Sequence, residues 1–351
     1  MKLLVYSDIQ FHPWREFSRI LPSGRNSRLE DQLNVQDEIF KFSVENSIDL
    51  LVHTGDLFEE LSQKIDKEVF LSVFSKFVEF SKKTIPVILL AGNHDQLTKI
   101  DTGLHILEPF KEIKNVAVID KTTVEKIEDI DLCFIPYKRS NFAEEVVKTV
   151  ANLSSSKNRY LFSHQSVSGA KIGSRDFVLK DDILKADFLP DKFTVIFNGH
   201  YHKAQMLSDN FIIVGSPLQK DFGERLDSKG FWVFDTNKSI KDIEFIETQA
   251  PKFFKIETSD DSIRFPKKFS NKDFLWVISS NEQIITSPQI TLLGDRVRLD
   301  IQKKRDIKLR SDIKLGMDVK DQLKSYIKLI KPELDESKLL KIGLDKWRES
   351  C

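Results

Sequence analysis

The chain has 351 residues, of which 40% are hydrophobic and 31% charged, and its 54 basic side chains are balanced by 54 acidic ones. This composition is typical of a folded globular protein of about two domains, and it excludes a disordered or fibrous chain. A formal net charge of zero gives no support for nucleic-acid binding from overall basicity, although it leaves local basic patches open.

The cysteines and the N-terminal run bear on the compartment. Cys133 and Cys351 are too few for a disulfide framework and fit a reducing environment. The run MKLLVYSD is too short for a signal peptide, and no run approaches the roughly 18 apolar residues of a membrane span. We therefore expect a cytoplasmic protein with no membrane partner.

The first 250 residues alternate between two patterns. Short apolar runs rich in β-branched residues end in polar clusters and are typical of strands buried on both faces. They are KLLVYSD, IDLLVHTGD, IPVILLAGNHD, LCFIPYK, RYLFSHQ, FTVIFNGHYH and FIIVGSP. Apolar residues at helical spacing over 28–46 and 69–80 predict two helices between the first strands. Strand, helix, strand alternation predicts an α/β fold.

The pattern changes after residue 250. The runs KFFKIE, FLWVISS, ITLLG and RVRLDI predict short strands without intervening helices, and DVKDQLKSYIKLI and DESKLLKIGLDKWRE predict two C-terminal helices, the second capped by Asp335. We therefore divide the chain into a main domain over 1–250, a small β-rich domain over 251–310 and a helical segment over 311–351.

Candidate metal ligands follow the predicted strands of the main domain. They are Asp8, Asp56, Asn93, His164, His200 and His202. Ligands gather at the carboxyl ends of strands in α/β sheets, so these side chains are expected to converge. Hard oxygens combined with imidazole nitrogens suit manganese, iron or zinc rather than calcium. The alternative for each motif alone is structural, because GD and GN are common turn dipeptides and a histidine pair is often a core or surface pair.

The ordered motifs SDIQ, GDLFE, GNHD, SHQ and GHYH resemble those of the calcineurin-like metallophosphoesterases, whose fold is a β-sandwich flanked by helices. The block GSPLQKDFGE, followed by KGFWVFD, is similar to the SbcD type, the nuclease subunit of a double-strand-break repair complex. The resemblance covers residues 1 to about 250. Beyond that point only the arrangement matches, with a small β-rich, DNA-binding cap and terminal helices that in this family dock an SbcC-type ATPase. The brevity of this part is similar to that of phage-encoded members.

The resemblance implies a centre of two Mn(II) ions, with magnesium, iron or zinc as alternatives in the cell. Asp8 and His202 would bind one ion, Asn93, His164 and His200 the other, and Asp56 would bridge them. Two cations about 4 Å apart acidify a shared water and hold the attacking and leaving oxygens of a phosphoryl transfer. His94 would stabilise or protonate the leaving oxygen, and Asp95 would hold His94 through its ring N–H.

One position departs from the family pattern, because Gln10 stands where the first motif usually has histidine. An amide oxygen binds a hard cation more weakly than imidazole, so the first metal is expected to be loosely held. His12 would reach the metal only if the loop folded back, and we interpret it as a substrate contact. The departure also leaves open a site that is not catalytic.

Basic residues with few acids follow the first motif. They are Arg15, Arg19, Arg25 and Arg28. Two interpretations compete, a solvated loop and a strip that grips DNA phosphates, and the position beside the first ligand favours the strip. The basic run 301–310 would extend this surface or only border the helices. His53 is expected to support a metal ligand or to be a buried, hydrogen-bonded residue rather than to be a ligand itself, and His105, in a predicted helix, is given no role.

These observations favour a two-metal DNA nuclease that acts in recombination and double-strand-break repair with an SbcC-like ATPase, as a homodimer within a heterotetramer. One alternative is another phosphoesterase of the same superfamily, which would need neither the GSPLQKDFGE block nor an amphipathic C-terminal segment. The other alternative is a DNA-binding scaffold subunit with a weakened metal site.

Overall fold

A computed structural model describes residues 1–59, 65–97, 104–151, 153, 158–172, 177–178, 192–260, 263–302, 316–330, 333 and 335–350. The helices are α1 Ser27–Glu45, α2 Lys67–Phe80, α3 Phe142–Ala151, α4 Pro288–Leu293, α5 Val319–Ile330 and α6 Glu336–Ser350. The strands are β1 Lys2–Tyr6, β2 Leu50–His53, β3 Val87–Leu90, β4 Val116–Ile119, β5 Thr123–Ile127, β6 Ile130–Ile135, β7 Asn158–Ser163, β8 Lys171–Ile172, β9 Phe177–Val178, β10 Val195–Asn198, β11 Gln205–Ser208, β12 Phe211–Ile213, β13 Gly230–Asp235, β14 Glu244–Glu247, β15 Phe253–Thr258, β16 Phe274–Ser279 and β17 Val297–Ile301.

Two six-stranded sheets form the main body. The first has the order β14-β13-β1-β2-β3-β4 and the second the order β11-β12-β10-β7-β6-β5. β1 to β4 run parallel in the first sheet, as do β6, β7, β10 and β12 in the second. Each sheet therefore collects the carboxyl ends of its parallel strands at one edge, which is where α/β proteins place ligands.

Alternate side chains of each central strand enter different cores. Leu4 and Tyr6 of β1 pack with the side chains of α1 and α2, whereas Leu3 and Val5 pack against Phe162 of the second sheet. On its outer face the second sheet packs against α3. Because successive strand residues point to opposite faces and both faces are covered, the runs are apolar throughout. The expected sandwich with flanking helices is confirmed.

The two helices on the first sheet begin at side-chain caps. Asn26 accepts from the backbone amides of Arg28 and Leu29 at the start of α1, and Asp66 accepts from that of Glu68 at the start of α2. Such caps satisfy amide donors that the first helical turn leaves free. The helices predicted over 28–46 and 69–80 thus differ from the observed ones by one or two residues at an end.

A third sheet, with the parallel order β15-β16-β17, follows the main body. Its run ITLLG, expected to be a strand, lies largely in the helix α4. Pro288 at the start of α4 supplies a fixed helical φ, and Gly294 follows its end, so the flanking residues outweigh the strand preference of Ile290 and Thr291. The expected absence of helices between these strands was therefore wrong.

Contacts divide the chain into two compact units, Met1–Ile301 and Gln302–Cys351. The boundary expected at residue 250 stays a prediction. In the second unit α5 and α6 pack on each other, and Asp335 accepts from the amides of Ser337 and Lys338 as expected of a cap. Most of the basic run 301–310 lies outside the described residues. No helix in the described ranges is long and apolar enough to cross a membrane.

Candidate metal centre and adjoining cleft

Strand-end residues of the two sheets meet at one point. Asn93 follows β3 of the first sheet, and its Oδ1 accepts from His164 Nε2 at 3.1 Å and from His200 Nδ1 at 2.9 Å. These histidines follow β7 and β10 of the second sheet. Asp56, which follows β2, places Oδ2 3.2 Å from His164 Nε2. One ligand atom from each of Asp56, His164 and His200 lies within 4.8 Å of the others. We call these four residues the imidazole half of the centre.

The two histidines of the imidazole half are oriented from behind. His164 Nδ1 donates to the carbonyl of Thr54 at 2.8 Å, which directs Nε2 towards Asp56. His200 Nε2 contacts the hydroxyl of Ser166 at 2.9 Å, which directs Nδ1 towards Asn93. Metal-binding histidines are held in this way, because a bond to one ring nitrogen fixes the position of the other.

Charge is concentrated in this buried half. Burial lowers the pKa of His164, but the carboxylates of Asp56 and Asp8, together with the hydrogen bonds to Asp56 and Thr54, outweigh burial and raise the pKa to about 9. For Asp56, burial raises the pKa, but the charges and hydrogen bonds of His164 and His94 together hold it well below its usual range. Burial lowers the pKa of His200 to about 4, with His164 acting in the same direction. A buried carboxylate therefore draws positive charge to this point.

The backbone around the centre is strained. Asp8, Gln10, Asp56 and His200 have φ values of 52°, 50°, 57° and 79°, in the left-handed region that side chains other than glycine rarely adopt. A Cβ on Gly92 would clash with the Asp56 carboxylate. Strain of this kind persists where the surrounding structure imposes it, and it is concentrated at functional sites.

The other ligand candidates, Asp8 and His202, have protein partners of their own. Asp8 Oδ2 accepts from the amide of His200 at 3.0 Å. His202 Nδ1 lies 2.7 Å from Oε1 of Glu224, so its ring is oriented by a carboxylate. Burial raises the pKa of Glu224, but Lys229 and His202 outweigh burial and hold it low. Glu224 is therefore a charged partner of His202.

Gln10 bridges Asp56 and a lysine. Its Nε2 donates to Asp56 Oδ2 at 3.2 Å, and its Oε1 accepts from the ammonium of Lys220. The amide oxygen expected to bind the first metal is thus engaged by a cation of the protein itself. We call Asp8, Gln10, His202 and Lys220 the lysine half of the centre.

The donors of the imidazole half fit a divalent cation. They comprise a carboxylate, an amide oxygen and two imidazole nitrogens on facing strand ends, a set that suits manganese, iron or zinc. Asp8 Oδ1 is buried and has no hydrogen-bond partner among the described residues. A buried carboxylate oxygen without a partner is costly, and a nearby positive charge, either a metal cation or the Lys220 ammonium that interacts with Asp8, would offset that cost.

His94 and Asp95 have different surroundings from those expected. His94 places Nε2 3.9 Å from Asp56 Oδ2 and directs Nδ1 to the carbonyl of Glu59. Asp95 does not hold the His94 ring; its buried carboxylate accepts instead from the backbone amides of Gly92, Asp56, Leu57 and Phe58. The physical reason is that two adjacent strand-end loops leave their amides without backbone partners, and Asp95 supplies the acceptor. Asp95 therefore fixes the loops that carry the ligands.

Several arginines of the expected DNA strip form internal contacts. Arg28 is 5% exposed, donates to the carbonyl of Lys220 at 2.8 Å and lies over the rings of Phe253 and Phe274. It also lines the cleft described below, so its expected DNA contact stays a prediction. Arg19 pairs with Asp295 at 3.0 Å and Arg25 with Glu30 at 2.6 Å. Arg15 is exposed.

A cleft of about 820 Å³ adjoins the centre. Its walls carry the aromatic side chains of Trp14, Phe222, Phe253 and Trp276 together with His12, Arg15, Lys220 and Arg298. Lys255 Nζ and the Arg298 guanidinium lie 4.9 and 4.8 Å from the centre of the Trp276 ring. Lys220 joins the two regions, since it lines the cleft and contacts Gln10. His12 therefore lies on the cleft rather than among the ligands.

Sequence reasoning assigned no role to Lys220 or Glu224. Both lie in the block GSPLQKDFGE, which follows β12. The position of this block after a buried strand is the feature of the sequence that indicates functional residues there. His53 is fully buried, and burial lowers its pKa to about 3, but neither ring nitrogen has a hydrogen-bond partner among the described residues. The expected hydrogen bond of His53 is therefore wrong, and its ring packs against Tyr6 instead.

A second group of possible ligands lies elsewhere. His105, Glu108 and Asp120 approach one another, but Lys111 Nζ lies 2.9 Å from Glu108 and 2.8 Å from Asp120. The lysine neutralises both carboxylates, so this group is an ion-pair network. His105 contacts Asp120 at 3.1 Å and lies in a β-bridge with Gln96 rather than in the expected helix.

Comparisons with known proteins identify the family to which the chain is similar. The family model described as calcineurin-like phosphoesterase matches residues 1–204. A phosphoesterase-like protein, 078R of Invertebrate iridescent virus 3, is 25% identical over 65% of this chain and 64% of its own length. Exonuclease subunit 1 of Enterobacteria phage T4 is 22% identical over 58% of each chain. The chain thus spans less than two thirds of the length of these relatives. A solved dimetal phosphatase from Danio rerio covers 66% of this chain and 91% of its own, with 9% identity and a TM-score of 0.39.

Proposed function

The chain belongs to the calcineurin-like phosphoesterase family, whose members use divalent metal ions, and from that premise we propose that it is a manganese-dependent DNA nuclease. The observation that carries the proposal is the cleft that adjoins the centre at Lys220, where aromatic rings stand beside four Lys or Arg side chains and three acidic ones, Glu16, Asp66 and Asp221. Nucleic acids are bound by such combinations, in which cations attract phosphates and aromatic rings stack on unpaired bases. The similarity to a phage exonuclease subunit supports the same substrate class.

Metal binding, proton donation and DNA binding are assigned to different residues of the chain. A divalent cation held by Asp56, Asn93, His164 and His200 would act as a Lewis acid on the phosphodiester and acidify the attacking water. His94 presents Nε2 near Asp56 while its Nδ1 is directed to a carbonyl, and this geometry suits a proton donor to the leaving oxygen. Trp276 and Arg15, in the cleft, would hold the DNA next to the centre.

A phosphatase acting on small monoesters is the main alternative. It would use the same ligands but has no need of a cleft of about 820 Å³ lined by two tryptophans and several cations. In the scaffold alternative, the cleft would bind DNA but the metal centre would not catalyse hydrolysis. The ligand set of the imidazole half favours catalysis over this alternative.

The test is hydrolysis by the metal-stripped chain reloaded with manganese. End-labelled duplex, single-stranded and hairpin DNA are compared with para-nitrophenyl phosphate, and Asp56→Asn serves as the control for a contaminating nuclease. We expect manganese-supported DNA cleavage that exceeds monoester hydrolysis and is lost in the variant. Monoester hydrolysis without DNA cleavage would favour the phosphatase, and DNA binding without any hydrolysis would favour the scaffold.

The second unit is proposed to dock an SbcC-like ATPase in the cytoplasm of the cell, or of the host for a phage protein. Apolar side chains of α5 and α6 are about half exposed, namely Tyr326, Leu329, Ile330, Ile342 and Trp347. Exposed apolar faces of this kind mark protein interfaces. A truncation after residue 301 should lose co-elution with an ATPase of this type but retain manganese binding.

We also propose that the chain forms a homodimer through the first-sheet helices, where Val44 of α1 and Leu71 and Val78 of α2 are exposed. Light scattering tests this assembly, and a dimer that Leu71→Asp leaves intact would locate the interface elsewhere. The dimer together with the ATPase would give the expected heterotetramer.

A further inference from the structure

A buried ammonium group stands next to the ligand set. Lys220 has a side chain that is only 6% exposed, donates to Gln10 Oε1 and lies 4.0 Å from Oε2 of Glu59. Gln10 in turn donates to Asp56 Oδ2 at 3.2 Å. An ammonium only donates and a carboxylate only accepts, so both ends of the Gln10 amide are fixed in orientation. The positive charge of Lys220 is thereby linked to the carboxylate shared by both halves of the centre.

The two halves present different donors. In the imidazole half, three side chains direct one ligand atom each to a point, within 4.8 Å of one another. Among the described residues, Asp8 and His202 do not form such a group with Asp56. The remaining candidate ligand of the lysine half is Gln10. Its amide oxygen accepts a hydrogen bond from Lys220 and is therefore not directed to a metal position.

Charge favours one cation over two. A divalent ion in the lysine half would lie beside a fixed ammonium in a buried region, where like charges repel strongly. Lys220 already faces Glu59 and, through its backbone amide, Glu224. We propose that this chain binds a single divalent cation in the imidazole half, and that Lys220, held by Gln10, supplies the positive charge of the lysine half.

In this arrangement Lys220 would contact the substrate directly. It lines the cleft as well as the centre, so its ammonium is placed to contact a phosphate oxygen that enters from the cleft. Lysine binds phosphate as a point charge, which is the contribution a second cation would make. The inference departs from the two-cation centre that the sequence resemblance implies. It rests on the metal dependence of the proposed function but not on DNA as the substrate.

The test counts bound manganese in the full-length chain. Protein stripped with chelator is titrated with Mn(II) by calorimetry, and the bound metal is measured by mass spectrometry and by electron paramagnetic resonance. We expect one manganese per wild-type chain, with the hyperfine pattern of an isolated ion. The double variant Gln10→His with Lys220→Met should rise to two per chain and show spin coupling between neighbouring ions. Two manganese ions per wild-type chain, bound with similar affinity, would overturn the inference.

Lys229 offers a matched control. Its ammonium is equally buried and pairs with Glu224 at 2.9 Å, but its hydrogen bonds go to the His202 carbonyl and the Ser216 hydroxyl rather than to Gln10. Lys229→Met should keep one manganese per chain. A double variant that also stays at one would show that Lys220 does not exclude the second cation, and would overturn its role.

Two further measurements keep the result interpretable. Thermal unfolding in chelator checks that each variant folds, and if the double variant does not fold, Lys220→Gln in the Gln10→His background replaces it with the same expected count of two. A single-metal chain that cleaves no DNA would support this inference and contradict the proposed function. A chain that binds two metal ions and cleaves DNA would overturn this inference and support the proposed function.

Discussion

The metal centre and the adjoining cleft are built in different ways. The centre takes its side chains from residues that directly follow parallel strands, several of them in left-handed backbone conformations. The cleft takes its side chains from segments far apart in the chain, around Trp14, Phe222 and Trp276, and it is open to solvent. Sheet topology therefore positions the centre, whereas only the complete fold brings the cleft together. We expect the centre to govern metal binding and turnover, and the cleft to govern the affinity for substrate.

Asp56→Asn should have the largest effect. Asp56 is 1% exposed, contacts His164 and accepts from Gln10, so its loss removes the anion common to both halves. Even a residue that only supports a ligand typically costs 10- to 100-fold in metal affinity, so the loss here should exceed about 100-fold and abolish cleavage. Manganese titration and DNA cleavage measure it, with Asp37→Asn on the surface as the control. Full manganese-supported activity of Asp56→Asn would contradict the assignment of the centre.

His94→Ala should separate turnover from metal binding. The ring faces Asp56 from 3.9 Å, and the imidazole half is complete without it. Loss of general acid catalysis typically lowers the rate about 10²- to 10⁴-fold, so kcat should fall in this range while bound manganese and DNA affinity stay unchanged. His105→Ala, which removes a histidine outside the centre, is the control. Lost manganese would instead make His94 a ligand, and near-normal turnover would leave it without a role in the reaction.

Asp95→Ala should mainly destabilise the fold of the centre. The substitution leaves the buried amides of four loop residues without their acceptor, and each such donor costs about 1–3 kcal/mol. We expect the free energy of unfolding to fall by at least about 3 kcal/mol, measured by denaturant titration in chelator. Asp66→Ala, which removes only the cap of α2, should cost about 1 kcal/mol. Equal losses in the two variants would contradict the role given to Asp95.

Trp276→Ala tests the cleft. Lys255 and Arg298 lie against its ring, so the substitution removes an aromatic surface and loosens two cations. Stacking of a base on an aromatic ring is worth about 1–3 kcal/mol, which is about 5- to 150-fold in the Kd for single-stranded DNA. Bound manganese should not change. Trp347→Ala, in α6 and outside the cleft, should leave DNA affinity as it is. A Trp276→Ala chain with wild-type affinity would remove the cleft from the interface.

The sequence predicts the centre better than the cleft for a physical reason. Continuous apolar runs reveal strands buried on both faces, and the polar residues after them are placed by topology alone, as Asp56 and His164 are. The contacts of Asp95 depend on which loop amides lack partners, and the burial of Arg28 depends on rings contributed by β15 and β16. Such interactions join distant segments and leave no periodic signal. The short run ITLLG forms most of a helix although its residues favour a strand, because the proline before it fixes a helical start.

Arg15→Gln should have the smallest effect, visible only in the salt dependence of DNA binding. Arg15 is the exposed arginine of the basic strip on the cleft wall, whereas Arg28 lies beneath Trp14 and two phenylalanines, where burial lowers its pKa to about 10. A phosphate contact contributes about 0.7–0.9 to the slope of log affinity against log salt concentration, so Arg15→Gln should reduce the slope by about that amount without changing stability. Arg28→Gln, which removes the buried charge and the bond to the Lys220 carbonyl, should lower the free energy of unfolding by about 1–3 kcal/mol and leave the slope unchanged. Titrations at several salt concentrations, paired with denaturant unfolding, measure both quantities. A slope that changes with Arg28→Gln and not with Arg15→Gln would reverse the roles assigned to the exposed and the buried arginine.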